Sequence, residues 1–106
     1  MSRVLIAFCT FPDSEIATKI VTELVEHRLV ACGNILPGVR SIYRWQDKVE
    51  SSDVVLAIFK LDEDRYGEFE ARVRSMHPYE VPEIIAFPLS KGLPAYLNWV
   101  RETCST

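Results

Sequence analysis

Apolar residues run almost unbroken from Val4 to Phe11, the pattern of a strand covered on both faces or central in a sheet. Pro12-Asp13-Ser14 ends the run, and Asp13 or Ser14 can cap a helix beginning there. The period then changes. Ile16, Ala17, Ile20, Val21, Leu24 and Val25 recur at helical spacing, with Glu15, Lys19, Glu23 and Glu26 on the other side. This predicts a helix ending near Arg28, whose charge, like that of His27, suits a helix C-terminus. Residues 29–36 and 39–46 read as one strand broken by Pro37-Gly38, with Ser41, Tyr43 and Trp45 on one face and Ile42 and Arg44 on the other. Gln46-Asp47-Lys48 is the turn, and Val49 to Leu61 returns. At about 3.3 Å per residue the returning strand spans about 43 Å, whereas a compact chain of this size is about 33 Å across. The hairpin must curl or project. Pro37 cannot donate to a ladder and so marks an edge or a bulge, which favours projection. A bare arm carrying Tyr43 and Trp45 is an aggregation hazard that burial against another subunit removes.

A second helix is predicted from Asp62 or Asp64, with Tyr66, Phe69, Val73 and Met76 as its inner stripe. The loop His77-Pro78-Tyr79-Glu80-Val81-Pro82 comes next, then a fourth strand over Glu83–Leu89, a turn at Lys91-Gly92, and a short terminal helix opened by Pro94. The order β-α-β-β-α-β plus a helix is that of a ferredoxin-like split βαβ sandwich of the α+β class, with an antiparallel sheet and two helices on one face. The opposite face has only the short terminal helix and partner chains to cover it, so oligomerisation is expected.

Composition narrows the classes. The 106 residues make one domain, 1–106, and a net charge of −3 with mixed signs gives no footprint for nucleic acid or membrane surface. The start resembles a signal peptide but lacks a cleavage site, and a helix pattern succeeds it at once. Cys9, Cys32 and Cys104 are odd in number and widely spaced, which points to reduced thiols in the cytoplasm rather than a disulfide framework.

Three segments, ACGNILPGVRSIYRW at 31–45, HPYEVPE at 77–83 and YLNWV at 96–100, resemble the CutA family of divalent-cation tolerance proteins. The resemblance runs through essentially the whole chain. It implies a ferredoxin-like protomer in a tight homotrimer, the 29–61 hairpin wrapping neighbouring subunits, and a non-enzymatic role in tolerance of copper and other divalent metals. The trimer it implies is also similar to that of the PII signalling proteins, so the alternative is an effector-binding module holding a small anion or metabolite between subunits. A third reading is a purely structural trimer that presents three copies of a surface to a partner.

The family's copper ligands are attributed to a cysteine ending the first strand and to histidines before the Pro-Tyr pair. The matching positions here are Cys9 and His77, with Met76 where the preceding histidine would stand and Arg72 where some relatives carry a further cysteine. Thiolate, thioether and imidazole form a sensible set for Cu(I). Against this, Cys9 lies in a core strand, Met76 lies on an apolar stripe, and a loop histidine such as His77 often bonds a backbone carbonyl. Cys32, between Ala31 and Gly33, reads as packing; Cys104 reads as an exposed thiol; His27 reads as a helix-end charge partner. Glu80 and Glu83 beside His77 form a conceivable general-base pair, although solvation or pairing with arginines across an interface fits them better. No nucleophile elbow, phosphate loop or Met-x-Cys-x-x-Cys chaperone motif occurs. No organic cofactor is expected.

Overall fold

The computed structural model describes residues 1–105. Strand β1 covers Val4–Phe11, helix α1 Ser14–Glu26, β2 Cys32–Trp45, β3 Lys48–Asp62, α2 Tyr66–Met76, β4 Ile84–Pro88 and α3 Pro94–Cys104. The four strands form one antiparallel sheet in the order β2-β3-β1-β4. That is the split βαβ order: β3 separates β1 from β2, and β1 separates β3 from β4. Asp13 caps α1, its Oδ1 accepting from the Ile16 amide at 2.8 Å.

Two boundaries differ from the sequence reading. Leu29, Val30 and Ala31 are buried but precede the strand, because Arg28 turns the chain with φ 57° and the Leu29 amide still closes the end of α1 on the Leu24 carbonyl. The fourth strand is shorter, Ile84–Pro88, although the Leu89 amide still donates to the Val4 carbonyl of β1 just beyond its end.

One sheet face carries Leu5, Ala7, Cys9, Phe11, Ala57, Phe59 and Leu61, all buried, and packs on α1 and α2. Phe59 meets Phe69 of α2 edge-on at 5.1 Å between ring centres, a favoured aromatic geometry. Helix α3 crosses one end of the opposite face, with Tyr96 Oη 3.7 Å from the Sγ of Cys32 on that face. Cys104 is buried, contrary to the exposed thiol expected of it. Only 1% of it is accessible, because α3 folds back under Arg28, which donates to the Thr103 carbonyl.

The hairpin projects. β1 runs out where Phe11 pairs with Val55, so residues 39–54 continue as a two-stranded ribbon with no third strand. Its register slips between Leu36 and Val39, where Gly38 adopts φ 77°, a conformation open to glycine without strain. At the tip Gln46 and Asp47 both have positive φ, the geometry of a type I′ turn that matches strand twist. The ribbon stretches the molecule to 45 × 26 × 22 Å.

Candidate functional site

The end of β1 and the 77–83 loop meet at the root of the ribbon. Helix α2 stops at Met76, and His77 turns to extended backbone as Pro78 requires of its predecessor. This swings the imidazole onto β1. A backbone N–H can only donate, so the Tyr79 amide at 3.1 Å fixes Nδ1 of His77 as an acceptor. Nε2 then carries the proton and donates to the Thr10 carbonyl at 2.8 Å. The ring is buried, stacks on Phe11 at 5.0 Å and leans on Tyr79 at 4.8 Å.

Cys9 reaches the same carbonyl. Its Sγ lies 3.7 Å from the Thr10 oxygen. Burial, with a smaller contribution from the charge of Glu83, pushes its thiol up to about 12, so it stays protonated at neutral pH. Met76 is partly buried and packs against the core. The fold therefore gathers Cys9 and His77 around Thr10, but as placed the three side chains do not present a donor set. Both nitrogens of His77 are taken by backbone, and Cys9 holds its proton. Among the described residues no three His, Cys, Asp or Glu side chains cluster as metal ligands.

The remaining candidates separate cleanly. Arg72 reaches across to α1, its Nη1 3.4 Å from Glu23 Oε1. His27 faces the same carboxylate, also at 3.4 Å, as a helix-end partner. Cys32 is half-buried against α3. The base pair of His77 with Glu80 or Glu83 does not form, because backbone groups occupy the imidazole.

Sequence reasoning missed the groove beside this junction, which has a volume of about 710 Å³. Thr10, Ser41, Ser52 and Val54 form its floor on the face opposite α1 and α2. Tyr43 and Trp45 wall it from the ribbon, and Tyr79, Glu80 and Glu83 from the loop. The signal lay in the alternation that puts Ser41, Tyr43 and Trp45 on one face; what sequence could not show is that the loop stands opposite them.

Known proteins share this fold. A family model described as CutA1 divalent ion tolerance protein matches residues 5–103. A divalent-cation tolerance protein CutA of Thermus thermophilus is 43% identical over 92% of this chain and 94% of its own length. Protein CutA of Mus musculus is 43% identical over 91% of this chain, which spans only 54% of that longer protein. Among solved structures, CutA from Xylella fastidiosa superposes with a TM-score of 0.95 at 38% identity, covering 98% of this chain and 100% of that one. A plant relative is described as chloroplastic and an archaeal structure as periplasmic, and no described helix here is long and apolar enough to cross a membrane. The match through both βαβ halves, the ribbon and the terminal helix means that the chain belongs to the CutA1 family of divalent ion tolerance proteins.

Proposed function

We propose that the chain works as a cytoplasmic homotrimer in tolerance of copper and other divalent cations, without catalysing a reaction. The observation that carries the assembly is the uncovered apolar surface of the ribbon. Ile42 is 70% exposed, Trp45 60% and Val49 71%, on a projecting two-stranded arm. On the face that Trp45 shares, opposite Ile42 and Val49, Ile85 and Phe87 are also exposed on the bare part of the sheet. A second copy supplies the cover that α3 cannot, since α3 reaches only one end of that face. Three free cysteines support a reducing compartment.

Copper ligation by Cys9, Met76 and His77 is the second part of the proposal. Its support is the convergence of Cys9 and His77 on Thr10. Its requirement is that His77 leave the Thr10 carbonyl and Cys9 lose its proton. The soft donors left would favour Cu(I). Copper titration of the reduced protein beside His77→Ala and Cys9→Ser variants tests it: weaker binding in both supports the assignment, and unchanged binding removes those residues. Light scattering of the same samples reports the assembly, and a monomer at micromolar concentration would sink that part. The alternative of a small-anion effector finds no support in the groove, whose charged lining is Glu80 and Glu83 alone.

A further inference from the structure

The imidazole proposed to hold copper is also the group that holds the 77–83 loop. Residues 78–83 form no regular structure, and Pro78 and Pro82 have no amide hydrogen to donate. Among the described residues, their one hydrogen bond runs from the Tyr79 amide to Nδ1 of His77. Nε2 of the same ring carries the tie on to the Thr10 carbonyl of β1. Pro78, Tyr79, Glu80, Val81 and Glu83 are exposed, so little apolar burial fixes the stretch. From this double use of one ring we infer that His77 is a metal-responsive latch: ligation of Cu(I) at the imidazole releases the Tyr79 amide and frees the loop. The inference rests on the reading of His77 as a copper ligand.

Release follows from the chemistry of the ring, whichever nitrogen ligates. A neutral imidazole has one N–H and one accepting lone pair. Cys9 Sγ and Nε2 converge on the Thr10 carbonyl, so Nε2 is the nitrogen on the thiol side. Ligation through Nε2 leaves the single ring proton on Nδ1, which then cannot accept from Tyr79. Ligation through Nδ1 consumes the accepting lone pair itself. Both routes cost the Tyr79 amide its partner. Because Tyr79, Glu80 and Glu83 stand across the groove from Tyr43 and Trp45, a freed loop alters the surface beside the ribbon.

Amide hydrogen exchange of the reduced full chain, followed by NMR with and without Cu(I) under anaerobic conditions, reads the latch at one amide. Chelator competition on the same samples measures whether Cu(I) is bound. The Tyr79 amide should exchange about tenfold faster once Cu(I) is bound, the loss of one hydrogen bond. The Leu89 amide, tied to the Val4 carbonyl beyond β4, should not change. His77→Phe keeps a ring against Phe11 but has no nitrogen, so its metal-free form should show the same fast Tyr79 exchange, with no further effect of Cu(I). Bound Cu(I) with unchanged Tyr79 exchange in the wild type would overturn the latch and leave the copper reading standing. No Cu(I) binding by the wild type would overturn both. Slow Tyr79 exchange in His77→Phe would overturn the latch without reference to metal; if that variant loses its fold, Leu89 exchange rises as well and the wild-type titration decides.

Discussion

Gly33→Ala should destabilise the fold although it adds a single methyl group. Gly33 pairs with Phe59 in the β2–β3 ladder and faces α1. A Cβ there would stand 2.7 Å from Val21 Cγ1 and 3.2 Å from two ring atoms of Phe59. Neither neighbour yields easily. Val21 is β-branched on a helix, where one χ1 rotamer dominates. Phe59 is fully buried and held edge-on by Phe69. Overpacking of this kind costs about 1–3 kcal/mol. Replacing glycine by alanine also restricts the unfolded chain, which offsets about 0.4–1 kcal/mol. The net loss should be about 1–2 kcal/mol, read as a lower urea midpoint with an unchanged slope at fixed protein concentration. Val21→Ala removes the clashing methyl, so the double variant should be more stable than the two single losses added together, by about 1 kcal/mol. A neutral or stabilising Gly33→Ala, or strict additivity, would refute the packing argument.

Three more perturbations probe the same geometry. The Cys9 thiol is pushed to about 12 from an ordinary 9.0, so the unfolded chain releases a proton that the folded one keeps. Its stability contribution is intact below pH 9.0 and is lost as pH rises toward 12; Cys9→Ala should flatten the urea-midpoint slope across that window, and parallel slopes would contradict it. His77→Ala severs the ties to Thr10 and Tyr79 and leaves the Thr10 carbonyl without its ring partner, which should cost about 2–4 kcal/mol by urea unfolding; a change smaller than about 1 kcal/mol would mean water replaces the ring. Trp45→Asp on the ribbon should dissociate the assembly in gel filtration, whereas Lys48→Ala at the turn should not.

The projecting hairpin was legible because its length exceeds any compact diameter, and Pro37-Gly38 marks the bulge by backbone chemistry alone. The helices were legible from their period. The end of α1 was less so, since Arg28 occupies a left-handed turn position that glycine usually fills. The burial of Cys104 was hidden because it depends on α3 folding back across the sheet, a contact between residues 28 and 103 that no local pattern encodes. His77 shows the same limit. Its type and its neighbour Pro78 indicated an important loop, but its partner Thr10 lies 67 positions away. Long-range contacts of that kind decide whether a histidine is a ligand or a strut.

If the ribbon serves to bind further copies of the chain, the assembly must persist in dilute solution, which sedimentation equilibrium of the reduced protein at micromolar concentration reads without intermediaries. A single species of three times the 12.1 kDa chain mass is expected. A stable species of one chain mass would contradict the trimer and leave Ile42 and Val49 on one face of the ribbon, and Trp45 on the other, without cover.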